Sequence, residues 1–221
     1  MSFSDLYLTN SPKLISPSDN SEPVAKLFGI PFDSTHSYKP GCRFGPDVIR
    51  DAFNNIEIFM PEFGVDLEQV NIQDLGNLEH TVVAQNMIDM VRKTTSELKN
   101  SSNQLIILGD FNIAPEDRDV HDPNEWNGGI LVSDAERNEF KKLLSHGFVD
   151  CFRINNKENG NFSWWDYRAA SYKRGRGLRI DHILASEKFS EQCLNCYIDK
   201  EPRELERPSD HTPVMAEFNI Q

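Results

Sequence analysis

Two short runs carry the side chains best suited to chemistry: Leu108-Gly-Asp-Phe-Asn112 near the middle of the chain and Ser209-Asp-His211 near its end. An acid, an amide, and an adjacent acid and imidazole can jointly position a metal ion, a water and a phosphate. Water, metal and phosphate are what phosphodiester cleavage has to position together. A complete site of this kind needs further ligands from earlier strands, and the first hundred residues supply none that we identify.

The elements that must carry these groups follow from hydrophobic spacing. Residues 1–23, rich in Ser, Pro and Asn, read as an irregular arm. Ala25–Phe32 is an apolar run of strand length, and Gly45-Pro-Asp47 opens a helix with Pro at its first position and Val48, Ile49, Ala52 and Phe53 on one face, ending near Asn54 and Asn55. Val70–Leu75 reads as a second strand. Val83, Met87, Val91 and Leu98 recur at helical spacing, and Leu105-Ile-Ile-Leu108 reads as a third, fully buried strand. Strand alternating with helix predicts a parallel sheet with chemistry at strand carboxyl ends, where Asp33, Asp74 and Asp110 are expected. After Asn112 the texture changes. A loop over 113–132 leads to a capping box, Ser133-Asp-Ala-Glu136, and a helix carrying Phe140, Leu143 and Leu144. Strands are predicted at Phe148–Asp150, Phe162–Trp165, Ile180–Leu184, Leu194–Ile198 and Val214–Phe218, and their loop connections make them largely antiparallel.

Bulk composition sets limits. The 221 residues are 38% hydrophobic and 26% charged, an ordinary globular balance, and no apolar run reaches the ~20 residues of a membrane span. The start of the chain has neither a basic nor an apolar segment, so a cytoplasmic protein with no membrane partner is expected. Four cysteines are too few for a disulfide scaffold, and Cys193-x-x-Cys196 has no second pair to complete a zinc site, so these thiols read as small buried residues. A net charge of −12 argues against polyanion binding over the whole surface. Locally the balance reverses: Arg168, Lys173, Arg174, Arg176 and Arg179 stand among Trp164, Trp165, Tyr167 and Tyr172. A basic loop with interleaved aromatics suits a nucleic-acid backbone and an unstacked base; the same composition also describes a solvated loop with packed aromatics.

From Gln104 to Phe218 six ordered motifs resemble the exonuclease III family of apurinic/apyrimidinic endonucleases, within the endonuclease/exonuclease/phosphatase superfamily. They are Gly109-Asp-Phe-Asn-Ile-Ala-Pro115, Asp119-Val-His-Asp-Pro123, His146-Gly-Phe-Val-Asp150, Phe162-Ser-Trp-Trp-Asp-Tyr-Arg168, Gly177-Leu-Arg-Ile-Asp-His-Ile183 and Arg207-Pro-Ser-Asp-His-Thr-Pro213. The resemblance implies an α/β fold, the carboxyl-terminal half of an αββα two-sheet sandwich. It implies Mg²⁺ or Mn²⁺ as cofactor and double-stranded DNA with abasic sites or 3′ ends as partner. By the same resemblance Asp110 would serve the water or the leaving group, Asn112 and His211 would contact the phosphate, Asp181 would fix the tautomer of His211, and Asp210 would belong to the metal site. Trp165, Tyr167 and Leu178 would shape the pocket for an extruded sugar, beside the basic residues Arg168 to Arg179. The family's amino-terminal half also contributes an Asn, a metal-binding Glu and a Tyr, and none has a counterpart before Gln104. Impaired activity is therefore expected.

Residues 24–99 are similar to something else. Phe28-Gly-Ile-Pro-Phe-Asp33, Gly41-Cys-Arg-Phe-Gly-Pro-Asp-Val-Ile-Arg50 and Asp74-Leu-Gly-Asn77 resemble the amino-terminal part of the agmatinase/arginase family, whose two manganese ions are held by later motifs not found here. The resemblances imply three parts: an irregular arm at 1–23, a ureohydrolase-like parallel β-α-β-α segment at 24–103, and an exonuclease III-like half at 104–221. The alternatives to a nuclease are a guanidino-group hydrolase and a non-catalytic hybrid.

Overall fold

The computed structural model describes residues 8–9, 13–14, 23, 25–34, 40–57, 59–61, 64–101 and 104–219. Most of the arm predicted at 1–23 lies outside these residues, as do residues 35–39 within the ureohydrolase-like motif. The chain divides into two compact units, Met1–Ser101 and Ser102–Gln221.

In the first unit, strands β1 (Leu8–Thr9) and β2 (Ala25–Gly29) precede helix α1 (Gly45–Asn55), followed by the short hairpin β3 (Phe59–Met60) and β4 (Val65–Asp66), then β5 (Ile72–Leu78) and α2 (Ala84–Ser101). Leu8–Thr9 is thus strand rather than arm: it pairs antiparallel with β5, while β2 pairs parallel on the other side of it, Leu27 opposite Asp74. Leu78, Met87 and Met90 form the core, with Leu8, Phe28, Phe32 and Val91 packed against it.

Helix α1 has the predicted bounds but not the predicted face. Val48 and Ile49 are exposed, and Arg50 is buried. Its Nε donates to Asp74 Oδ2 at 2.6 Å and its Nη2 to Asp74 Oδ1 at 2.9 Å, a bidentate pair that fixes the rotation of the helix more firmly than two aliphatic contacts would. Asp74 therefore sits inside β5 as a structural anion, not at a strand end. Gly29 marks the closest approach, because a Cβ there would lie 2.1 Å from Asn77 Oδ1 and 2.6 Å from Pro46 Cβ.

The second unit opens with β6 (Ile106–Asp110), a short helix α3 (Pro123–Trp126) capped by Asp122, and α4 (Asp134–Ser145). Ser133 caps α4 through the predicted box: its Oγ accepts from Glu136 N at 3.3 Å, and Glu136 Oε2 accepts from Ser133 N at 2.9 Å. There follow β7 (Phe148–Asp150), α5 (Cys151–Asn155), β8 (Asp181–Ser186), α6 (Glu187–Ser190), β9 (Cys193–Ile198) and β10 (Val214–Phe218). The sheet order is β6-β8-β7, all antiparallel, with β9 and β10 as a separate antiparallel pair.

Two expectations fail here. The Leu105–Leu108 run is not the third strand of a parallel sheet: β6 pairs antiparallel with β8, and Leu108 is 67% exposed. Phe162–Trp165 forms no strand, only isolated bridges from Trp164 to Leu178 and to His211. One face of the three-stranded sheet, with Ile106, Ile183 and Ala185, packs on Val214, Ala216 and Phe218 of β10 and on Phe152 and Cys196. The other face, with Ile107 and Leu184, is covered by Phe140, Leu143 and Leu144 of α4. Among the described residues, no helix is long and apolar enough to cross a membrane.

Candidate active site

The antiparallel register of β6 and β8 builds the site. Ile106 lies opposite Ala185, and the ladder runs out with Asp110 opposite Asp181. Two carboxylates that are 71 positions apart in sequence thereby become cross-strand neighbours at a sheet end, an arrangement that is destabilising unless something neutralises it. His211 reaches the same point from the loop before β10, held by the bridge to Trp164. Its Nδ1 lies 3.0 Å from Asp181 Oδ2, and its Nε2 lies 3.9 Å from Asp110 Oδ2. Because an ionised carboxylate only accepts, Nδ1 carries the proton and Nε2 faces outward toward Asp110.

Asn112 completes the group. Asp110 Oδ1 accepts from Asn112 N at 2.9 Å and Oδ2 from Asn112 Nδ2 at 3.1 Å, a local turn that holds Asn112 at φ 53°, a conformation asparagine tolerates. The electrostatics follow from this crowding. Burial pushes the Asp110 carboxyl above the ordinary carboxylate value, and the charge of Asp181 adds to the rise against the hydrogen bonds from Asn112. Burial works to lower His211, but its hydrogen bond to Asp181 and the charges of Asp181, Asp110 and Asp210 outweigh it and hold the imidazole protonated to higher pH than a free histidine.

Asp110, Asp181 and His211 each offer one ligand atom, all within 4.8 Å of one another. Hard carboxylate oxygens with an imidazole suit a small divalent cation such as Mg²⁺ or Mn²⁺, and a cation would relieve the like-charge contact that adds to the effect of burial on Asp110. The residues present fit such an ion. Asp210 stands beside this trio, not within it: its Oδ2 accepts from Trp164 Nε1 at 3.0 Å, and its charge acts on His211.

The aromatic and basic residues separate into two groups. Tyr167, Arg168, Lys173 and Arg174 are exposed, although Asp166 chelates Arg168 through Nε and Nη2. Arg176 is half-buried and is occupied by Glu125 and by His121 Nε2 at 3.2 Å. Trp165 and Arg179 are inside the protein. Trp165 packs edge-on to Tyr172 at 5.0 Å between ring centroids, which makes it a wall rather than a stacking surface. Arg179 is 1% exposed, its Nε bonded to Asp119 Oδ1 at 2.6 Å and its Nη2 to Asp150 Oδ2 at 2.8 Å. Its place in the basic run suggested a DNA contact; two buried carboxylates, distant in sequence, withdraw it into the core instead.

Sequence reading gave three residues that support the site no supporting part in it. Ser163, fully buried, donates from Oγ to Asp181 Oδ2 at 2.6 Å and accepts from the N–H groups of Ile180 and Asp181 at 3.1 Å each. Trp164 orders Asp210 and bridges to His211. His182, brought down to about 4 by burial and the charge of Arg179, is neutral; it accepts from Arg179 Nη1 at 3.0 Å and donates from Nε2 to the Ile113 carbonyl at 2.8 Å, tying the strand to the loop after Asn112. All three lay within quoted motifs, and that was the only available signal.

Comparison with known proteins gives two families. The sequence model of the arginase family matches residues 24–114. Exodeoxyribonuclease III of Haemophilus influenzae is 41% identical over 126 residues, 54% of this chain and 47% of that protein. Among solved structures, the 3′ phosphatase NExo from Neisseria, bound to a product DNA hairpin, aligns with a TM-score of 0.56 and 40% identity over 62% of this chain and 54% of that one. The chain is homologous to exonuclease III-type nucleases. It spans about half the length of the curated exonuclease III-type relatives it matches. The N(1)-aminopropylagmatine ureohydrolase of Thermococcus kodakarensis is 41% identical over 83 residues, 36% of this chain and 28% of that protein. A portion similar to exonuclease III-type nucleases and a portion similar to the arginase family therefore coexist in one 221-residue chain.

Proposed function

We propose that this chain is a metal-dependent DNA-repair nuclease of exonuclease III type, acting on double-stranded DNA at abasic sites and 3′ ends. The observation that carries the reading is the convergence of Asp110, Asp181 and His211, with Asn112 beside them, at the open end of the β6-β8 ladder. Homology to nucleases and a structural neighbour solved with product DNA support the substrate class.

In this reading Asp110 and Asp181, flanked by Asp210, hold Mg²⁺ or Mn²⁺, and the ion when bound supplies a Lewis acid for a phosphate oxygen. Asp110 also orients the attacking water, and its carboxyl, raised by burial and by the charge of Asp181, is a stronger base than an ordinary carboxylate. Asn112 Nδ2 and the outward Nε2–H of His211 donate to the phosphate as charge builds on it. Asp181 accepts from Nδ1–H and so orients the imidazolium, the form that also carries a proton on Nε2, and Ser163 holds Asp181. Tyr167, Lys173 and Arg174 take the DNA backbone on the adjacent surface, with Arg168 and Arg176 secondary because each is already paired. The surrounding architecture is taken to be the carboxyl-terminal half of an αββα sandwich, and turnover by this chain alone is expected to be weak, since Mg²⁺ coordination prefers near-ideal octahedral geometry and few protein oxygens are at hand.

Guanidino hydrolysis is favoured only by the arginase-family match. Against it, the two acids of that portion singled out in the sequence are both engaged by arginine, Asp33 by Arg43 at 3.1 Å and Asp74 by Arg50 at 2.6 Å.

The test is incubation with Mg²⁺ and a duplex containing one synthetic abasic site. Incision that disappears with EDTA and in Asp110→Ala and His211→Ala preparations supports the proposal. Cleavage no higher than in those variants refutes it.

A further inference from the structure

Of the buried arginines among the described residues, Arg50, Arg153 and Arg179 are each paired with a carboxylate. Arg203, 7% exposed in the single turn Glu201–Glu204, is paired with none, and its Nε and Nη1 meet no acceptor among these residues. What its guanidinium does meet is aromatic. Its Cζ stands 4.8 Å from the centre of the Tyr172 ring and 5.7 Å from that of Trp165, both within cation–π reach. Filling this space needs no charge. An aliphatic side chain would occupy it without the cost of taking a cation out of water, so the charge has to be explained by the two rings.

Those rings hold the basic loop. Trp165 precedes it, and Tyr172 lies inside it next to Lys173 and Arg174. Between them Ala169 and Ala170 sit at φ 57° and 51°, the left-handed region that alanine avoids, and such backbone persists only where its surroundings over-determine it. The surroundings here are the run from Arg203 to Asp210. Tyr172 Oη donates to Glu204 Oε1 at 2.5 Å, Tyr167 Oη to the Pro208 carbonyl at 2.9 Å, and Trp165 N to the Asp210 carbonyl at 2.9 Å. We infer that Arg203 is a positioning residue, whose guanidinium against Trp165 and Tyr172 fixes the loop carrying Lys173 and Arg174 to the run that delivers Asp210 and His211. Arg203 is buried and touches no phosphate itself; it acts on duplex DNA through those two exposed cations. The inference rests on the nuclease reading for the identity of the ligand.

The full chain is tested as Arg203→Met and Arg203→Lys, with binding to abasic duplex followed in EDTA at several salt concentrations. Each phosphate contact carries about one unit of the slope of log affinity against log salt. Arg203→Met is therefore expected to lower that slope by about 2, the share of Lys173 and Arg174, and to add nothing once both are alanine. Arg203→Lys keeps a cation on the rings and is expected to recover at least about half of the loss. Trypsin cutting after Lys173 and Arg174, read without DNA, is expected to quicken at least about tenfold in Arg203→Met while the tryptophan-monitored unfolding midpoint holds. A side chain that only fills the core would move the midpoint and leave the slope and the cutting alone. Should Arg203→Met not fold, Tyr172→Leu removes the contact from its other side and is expected to show the same fall in slope. An unchanged slope, unchanged cutting, an equal loss in Arg203→Lys, or a full further loss in the Lys173 and Arg174 double variant overturns the inference. Incision of the same duplex with Mg²⁺ addresses the nuclease reading separately. Duplex bound with the expected slopes and left intact overturns that reading and keeps the positioning role.

Discussion

Replacing Arg179 with methionine separates a core role from a DNA-binding role. The guanidinium is buried, neutralises Asp150 as its only salt-bridge partner among the described residues, and shares Asp119 with Arg153. Burial alone would raise the Asp119 carboxyl, but Arg179 and Arg153 outweigh it and hold it below the ordinary value. Arg179→Met leaves Asp150 as a buried anion without a cation and strips Asp119 of one of two. Breaking a buried pair from one side costs about 3–5 kcal/mol, a large share of the roughly 5–15 kcal/mol that holds a domain folded. All three tryptophans, Trp126, Trp164 and Trp165, lie in the second unit, so their fluorescence in urea follows that unit alone. With a slope of about 2 kcal/mol per M, the midpoint should fall by about 2 M. Adding Asp150→Asn removes the stranded charge and should restore about half of the loss. The pH dependence has a definite sign. Because the folded Asp119 carboxyl sits below its unfolded value, its contribution is full above about pH 4 and is lost as pH falls through the folded value. Arg179→Met should flatten that acid limb. A midpoint shift equivalent to less than about 0.5 kcal/mol, the range of ordinary surface substitutions, would show that the arginine is not a buried ion partner and would falsify this reasoning.

Four further outcomes follow. Asp110→Ala and His211→Ala should each lower abasic-site incision on the order of 10³-fold in single-turnover assays while leaving the fluorescence-monitored melt intact. Lys173→Ala and Arg174→Ala should each reduce the slope of log affinity against log salt for duplex DNA by about 1, with stability unchanged, as filter binding at several salt concentrations would show. Ser163→Ala removes the donor to Asp181 and the acceptor for two buried N–H groups; a stability loss of about 1–3 kcal/mol is expected, together with a fall in kcat and little change in KM. Burial pushes the Cys151 and Cys196 thiols up to about 12, so near pH 8 roughly one molecule in 10⁴ carries either thiolate, and iodoacetamide followed by mass spectrometry should modify exposed Cys42 well before either.

What the sequence disclosed was local. The box at Ser133 and Glu136 is written within four residues, and it fixes the start of α4 in the structure as it does on paper. The strands Phe148–Asp150 and Val214–Phe218 were legible for the same reason, since loops bound their apolar runs. What escaped was decided at a distance. Ile106-Ile-Leu108 has the same pattern whether it joins a parallel or an antiparallel sheet, and its partner β8 lies some seventy residues away. Arg179 looks like its neighbours in a basic run until Asp119 and Asp150 are brought around it, and Arg50 looks like a helix surface residue until Asp74 is. The individual members of the site were named from motifs. The ladder register that makes Asp110 face Asp181, and the hydroxyl of Ser163 beneath them, were not.

The most direct test asks whether these side chains form one cation-binding point. Substoichiometric Mn²⁺ added to isotope-labelled chain should broaden the NMR signals of Asp110, Asn112, Asp181 and His211 first, and Asp110→Asn should abolish that selectivity. Broadening that begins elsewhere on this acidic surface, or that persists unchanged in Asp110→Asn, would contradict the account.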